Sequence, residues 1–273
     1  MKREYTIIKE EDHMSVYDLA LSKGISKRAL KDIKLYGDIL INGDHVRVVD
    51  KVSENDIIEF IYPKEESDVI PWEHDLAIVY EDEGLIIIDK EAGIPCIPTR
   101  GHRYHTVANA LKYYYDCHNI EAAIHLVNRL DKDTSGLMLV AKNRDLHYQF
   151  SKDIKQVKRV YHCLVEGKVT QGVIDAPILK LDKEMRRIID DRGKKAITHY
   201  RCIEYKEGNS LVECVLETGR THQIRVHMAS IGHPLIGDTL YGGREGVLKL
   251  QSVELSFVHP ITKEYIDIKK QDL

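Results

Sequence analysis

Residues 125–142 read HLVNRLDKDTSGLMLVAK, and the two halves of the stretch obey different rules. LMLVAK (137–142) is a dense apolar run of the kind that crosses the middle of a sheet. NRLDKDTSG (128–136) sets two carboxylates, two cations, a Thr, a Ser and a Gly into nine positions. KDTSG carries turn chemistry, so the chain turns and then enters a buried strand, and Asp131 stands just ahead of the turn. A carboxylate placed there projects into a cleft from a rigid support. The bland alternative is a turn residue bonded to its own backbone. Asp133 and Thr134 read as turn residues whose side chains cap backbone amides, and Ser135-Gly136 completes the turn. Asp131 is then the acid left over.

Outward from this point the pattern is rich in strands. GLIIIDK (84–90), RVYHCLVEG (159–167) and SLVECVLE (210–217) are short apolar or β-branched runs at wide intervals. TVANALKYYYDC (106–117), RDLHYQFSKDIKQV (144–157) and THQIRVHMASIG (221–232) have helical period, the last with Ile224, Met228 and Ile231 inward and Gly232 as its stop. The expected class is α+β, with a mixed, mainly antiparallel β-sheet and flanking helices over 76–273. PKEESDVIPWEHD (63–75) is polar, holds two prolines and has no period, so it reads as a linker.

Residues 1–62 form a small α/β module of their own. MSVYDLALSKG puts Val16, Leu19 and Ala20 at helical spacing and stops at Gly24; Ser26 then caps SKRALKDIKLYG, which ends at Gly37. On this second helix Leu30 and Ile33 face inward, while Lys27, Lys31 and Lys34 align as a cationic stripe suited to a phosphate backbone. A strand, an Asn-Gly turn and a second strand follow in DILINGDHVRV, and NDIIEFIY supplies a third.

A chain of 273 residues with 43% hydrophobic and 31% charged content buries a full core and is not dominated by disorder. No apolar stretch is long enough to span a bilayer and MKREYTIIKEED lacks the apolar core of a secretion signal, so the expected place is the cytoplasm, away from membranes. Cys96, Cys117, Cys163, Cys202 and Cys214 form no CxxC pair and read as small core residues. The net charge of -4 argues mildly against nucleic acid, yet residues 180–201 hold eight Lys or Arg, among them Lys183, Arg186 and Arg187, against four acids. The average therefore hides a basic segment, which is either a solvated loop or a nucleic-acid contact.

A second cluster, ETGRTHQIRVHMASIGHPLIGDTLYGG (217–243), brings Arg220, His222, Arg225 and His227 together around a helix start. A cation such as Arg225 can keep a buried aspartate ionised and lower its pKa. His222, His227 and His233 lack HxxxH or HExxH spacing, so no metal site is expected.

The phrase SKRALKDIKLYGDILINGDHVRVVDKVSENDIIEF resembles the alpha-L RNA-binding motif, and NRLDKDTSGLMLVAKN, KRVYHCLVEG, GKKAITHYR and TGRTHQIRVHMASIGHPLIGDTLYGG, in that order, resemble the RluA-type pseudouridine synthase family. DKEAGIPCIP (89–98) and LSFVHPITKEYIDI (255–268) fit the same resemblance. It implies that Asp131 is the catalytic aspartate, Tyr161 the ring that stacks on the target uracil and Arg225 the cation paired with Asp131. Arg129 is implied to fill the gap left by a flipped nucleotide, and Leu250 to form an apolar wall, although LQS stands where LHA is common. Arg220 and His222 belong to the same substrate-binding motif, and Lys27, Lys31, Lys34, Arg186 and Arg187 are the expected RNA contacts. Asn128 replaces a usual His before RLD and Glu91 a usual Pro.

The implied activity isomerises uridine to pseudouridine in structured RNA, ribosomal RNA of the large subunit first and transfer RNA second, without cofactor and as a monomer. Two competing readings are a non-catalytic RNA-binding or ribosome-assembly protein on the same fold, kept open by Asn128, and a metal-dependent hydrolase using Asp131 and Asp133 with the later histidines.

Overall fold

In LIIIDK and SGLMLVA every second side chain goes to one face and the alternate ones to the other, and both sets are apolar, so both strands belong at the centre of a covered sheet. The computed structural model, which describes residues 2–65, 67–99, 101–182 and 184–270, places them there. The main sheet contains β5 (Ala77–Glu81), β6 (Leu85–Lys90), β7 (His125–Leu126), β8 (Ser135–Ala141), β9 (Lys158–Glu166), β10 (Gln171–Asp175), β13 (Ile197–Lys206), β14 (Asn209–Leu216), β15 (Leu250–Val258) and β16 (Tyr265–Lys269). Its order is β10-β13-β14-β9-β15-β8-β6-β5, with β16 beside β15 and β7 beside β8. Pairing is antiparallel except between β8 and β15. A separate hairpin joins β11 (Ile178–Lys180) to β12 (Arg187–Ile189).

Ile86, Ile88, Met138 and Val140 pack on one face with Leu111 and Tyr115 of α3 (Val107–Cys117) and Ile224 and Met228 of α5 (Gln223–Ser230). Leu85, Ile87, Leu137 and Leu139 pack on the other with Leu146 and Phe150 of α4 (Arg144–Lys152). The parallel join needs a glycine: Gly136 has φ +106, and a Cβ there would sit 2.2 Å from the Ser252 carbonyl oxygen. That tight crossing lies just beyond the turn carrying Asp131, so the turn springs from a closely packed join of two strands.

The helix expected over 144–157 ends at Lys152, because the Asp153 side chain accepts from the Lys155 amide and starts a short 3-10 turn, Ile154–Gln156. Ile231, expected inward, is the C-cap residue of α5 and 37% exposed, since the chain leaves the helix there. Cys96, Cys163 and Cys214 are buried as expected, but Cys117 is exposed at the end of α3 and Cys202 is half-buried where β13 bulges.

In the N-terminal module Ser15 and Ser26 cap α1 (Val16–Ser22) and α2 (Lys27–Tyr36), accepting from Asp18 N and Ala29 N. Its sheet has β4 (Ile57–Ile61) between β1 (Lys2–Thr6) and β2 (Asp38–Ile41), with β3 (Asp44–His45) beyond β2 across the Asn42-Gly43 turn. The strand β1 has no clear period in KREYT and was not expected. Leu19, Leu30, Ile33, Ile58 and Phe60 form a core of their own. The module rests on α4: Arg3 pairs with Asp145 at 3.5 Å with both side chains buried, and Gln149 Nε2 donates to the Gly24 carbonyl. Residues 63–75 hold no helix or strand among those described, yet they are fastened along α3, where Trp72 N donates to Asn109 O and Asn109 Nδ2 to Ile70 O.

Candidate active site

Asp131 opens a tight turn in which Thr134 N donates to its carbonyl at 3.1 Å. The side chains of Asp133 and Thr134 do not cap this turn as the sequence suggested; Asp133 is exposed and the Thr134 hydroxyl is buried with no partner among the described residues. The clamp comes from β6 instead. Lys90, 3% exposed, donates through Nζ to the carbonyls of Glu91, Lys132 and Thr134 at 2.7, 2.9 and 2.8 Å. Burial pulls its ammonium below the ordinary lysine range. Gly93 N also donates to Lys132 O, and Cys96 holds Leu130 from beneath through its carbonyl and amide. Asn128, the residue that departs from the family pattern, accepts from Leu139 N at 2.7 Å and donates to Leu137 O at 3.5 Å. Its amide acts as one more backbone rung against β8.

Facing Asp131 is Arg225 on α5. Its Nη1 stands 3.7 Å from Asp131 Oδ2, an ion pair too long for a hydrogen bond. Its stronger partner is one the sequence did not reveal: Nε and Nη2 donate to the two carboxylate oxygens of Asp238, both at 2.7 Å, in a buried fork. Burial works against the charge, but Asp238, with Asp131 and Tyr241 adding less, offsets it and holds the guanidinium above the ordinary arginine range. The guanidinium also lies 5.2 Å from the centre of the Tyr241 ring. Tyr241 accepts from Arg187 N at 2.8 Å and shares a second hydrogen bond, also 2.8 Å long, with Nδ1 of His222. Burial lowers the His222 pKa, the Asp131 charge opposing it.

Asp131, Tyr161, Arg225, Leu250, Arg129 and His222 all line one cleft of about 660 Å³. The Asp131 side chain is 23% exposed, open enough to meet a substrate. Tyr161 on β9 and Leu250 on β15 are buried walls, and burial pushes the tyrosine phenol up. Arg129 is exposed on the rim; Arg220, also exposed, donates from Nε to Lys195 O, while its own amide is held by Gln223 Oε1. Such an opening suits a planar ring between apolar walls, with a carboxylate and a donor at its edge.

A family model described as RNA pseudouridylate synthase matches residues 84–230, more than half of the chain and the span that carries this cleft. The chain belongs to that family. RNA pseudouridine synthase YjbO of Bacillus subtilis is 44% identical to this synthase over 266 residues, covering 92% of this chain and 93% of the relative. Ribosomal large subunit pseudouridine synthase D of Vibrio cholerae is 37% identical over 267 residues, covering 89% and 82%. Among solved structures, human RNA pseudouridylate synthase domain containing 1 superposes with TM-score 0.59 at 26% identity, covering 76% of this chain and 86% of that one.

The remaining site residues of this synthase lie outside the cleft. Lys27, Lys31 and Lys34 are exposed on α2, with no ion pair among the described residues. Arg186 stacks over Tyr241 at 5.7 Å, whereas Arg187 turns its guanidinium onto the carbonyls of Glu184, Met185 and Arg186. Lys183 lies outside the described residues. The basic segment is less basic than its count, because Arg192 is paired with Asp190 and Arg201 with Glu213. The later histidines are committed elsewhere: His227 bonds Thr198 Oγ1 and Ala176 O, and His233 bonds Glu166 O. No group of three potential ligands could hold a metal among the described residues.

Sequence reasoning missed Asp238, Lys90 and Tyr241. Asp238 and Tyr241 stood inside the quoted GHPLIGDTLYGG, where an acid and a phenol in a turn-rich stretch near a buried arginine were the available signal.

Proposed function

We propose that this synthase isomerises uridine in large-subunit ribosomal RNA and that Asp131 is its reacting carboxylate. The observation that carries the reading is the meeting of Asp131, Tyr161, Arg225 and Leu250 in one cleft, from four separate elements. The bond from C1′ to N1 breaks and one from C1′ to C5 forms; the C5 proton leaves and N1 ends protonated. Substrate and product are isomers, so no redox partner or group donor takes part. The target base leaves its stack to enter the cleft, at a cost on the order of a few kcal/mol that stacking on Tyr161 partly offsets. Arg129, on the rim, fills the space vacated. Asp131 acts on the sugar as nucleophile or base, and Arg225, fixed by Asp238, keeps a positive charge beside it. Residues 1–62 serve as an alpha-L-type RNA-binding module, with Lys27, Lys31 and Lys34 on the backbone. Relatives named for the ribosomal large subunit support the choice of RNA.

The reading in which the fold binds RNA without catalysis loses its motive, because Asn128 braces β8 and leaves Asp131 free. Asp131→Asn is expected to abolish pseudouridine formation on an unmodified large-subunit transcript while RNA affinity stays within about twofold. Normal turnover by that variant sinks the assignment. Pseudouridine maps of ribosomal and transfer RNA with and without the gene settle the substrate; sites lost only from transfer RNA would overturn the ribosomal choice.

A further inference from the structure

Arg159 on β9 is a charged side chain that the chemistry above does not use. It is 3% exposed, yet no carboxylate among the described residues lies within ion-pairing reach. Its Nε donates to Val157 O at 3.2 Å and its Nη2 to Leu216 O at 3.0 Å, both neutral carbonyls. Burial pulls its pKa down, with only the neighbouring Tyr161 phenol opposing that pull. A buried cation without a counter-charge is costly, and proteins rarely leave one so.

The third nitrogen, Nη1, has no protein partner among the described residues and lies beneath Gly219, on the wall of the same cleft. Gly219 is exposed, and a Cβ built there would sit 3.0 Å from Nη1. The backbone at this point has no positive φ to demand glycine, so the missing side chain matters for access. Arg159 and Tyr161 are two apart on one strand, which sends both side chains to one face about 7 Å apart along it. One acid on that wall, Glu217, is already paired with Lys155 at 3.0 Å and His199 at 2.8 Å.

We propose that Arg159, reached through the gap at Gly219, binds an RNA phosphodiester, the backbone phosphate next to the uridine that Tyr161 receives. A phosphate supplies the missing negative charge and accepts from Nη1, and Arg159 thereby fixes how far the extruded nucleotide enters. This rests on the reading of the cleft as the uridine site, and the test separates the two.

Binding of an unmodified large-subunit ribosomal RNA transcript is measured across a salt series for the wild type, Arg159→Gln, Arg159→Lys and Gly219→Ala. Each lost phosphate contact lowers the slope of log K against log salt by about one. Arg159→Gln is expected to lose about one unit of slope and on the order of tenfold in affinity, with Arg159→Lys recovering most of the slope. Gly219→Ala keeps the arginine and the fold but crowds Nη1, so it is expected to lose a similar amount and carries the test should Arg159→Gln fail to fold. A wild-type slope in either variant overturns the proposal. The slope is read without turnover, so a wild type that binds RNA but forms no pseudouridine defeats the catalytic reading alone. A wild type that forms product while both variants keep its slope and affinity defeats this one alone.

Discussion

At the scale of single residues, Arg225 is held between two acids of different kind. Asp238 is fully buried and grips it with two short bonds, whereas Asp131 is part exposed and meets it only at 3.7 Å. Asp238 therefore keeps the guanidinium back and leaves the Asp131 oxygens without a short bond to it. Asp238→Asn keeps the shape but removes the charge, so Arg225 should swing toward Asp131 and close on it. Breaking a buried pair from one side costs about 3 kcal/mol of stability. Turnover should fall on the order of a hundredfold, because a displacement near 1 Å has that effect. Kinetics and thermal melting of the folded variant check both; unchanged turnover would show that Arg225 needs no such restraint. Asp131 and Arg225 were legible because each sits in a dense local motif. Asp238, Lys90 and Arg159 were not, since a buried charge is defined by what surrounds it in space, and their partners lie on other elements.

At the scale of elements, α5 is buried around most of its circumference. Gln223, Ile224, Arg225, Val226, His227 and Met228 are all buried, so its polar residues face protein as well as its apolar ones. Helical period alone assigned inward places to Ile224 and Met228 and could not assign His227. That histidine is wholly buried, donating from Nε2 to Ala176 O and sharing a hydrogen bond at Nδ1 with the Thr198 hydroxyl. Burial lowers its pKa below the ordinary 6.5, with the hydrogen bond to Ala176 and then the Asp175 charge opposing. His147 and His222 shift the same way, also through burial. The unfolded chain thus binds protons near pH 6.5 that the folded chain refuses. Stability is fully present above that value and falls as pH drops through it. His227→Gln preserves a donor and an acceptor without a titrating group, so the difference in melting temperature between pH 7.5 and 5.5 should shrink. An undiminished difference would assign the acid sensitivity elsewhere.

For the whole molecule, the question is whether residues 1–62 are a tethered module or a fixed platform. The sequence marked 63–75 as a linker because prolines and charge break every period there, and no local pattern could show that Arg3 meets Asp145 on α4. The pair is deeply buried but imperfect: it spans 3.5 Å, and Arg3 Nε and Nη2 lack hydrogen-bond partners among the described residues. Such a pair fixes an orientation more than it adds stability. Its place matters, because α4 leads directly into Ser151–Lys155 on the cleft wall, while Arg144 on the same helix approaches Asp32 of α2 at 3.9 Å. The exposed lysines of α2 thus share α4 as a common support with the mouth of the cleft. Asp145→Leu leaves Arg3 buried and unpaired, which should cost the docked state about 3 to 5 kcal/mol. Faster hydrogen exchange in α2 and readier cleavage within 63–75 would report the release. RNA affinity should drop while its salt slope persists, since the lysines remain attached but lose their fixed position. Adding Arg3→Met to Asp145→Leu replaces both charges with apolar groups and should restore docking and affinity together. If the double variant stays as loose as the single one, the pair holds the platform by its charge; if neither variant loosens, the apolar contacts around it suffice.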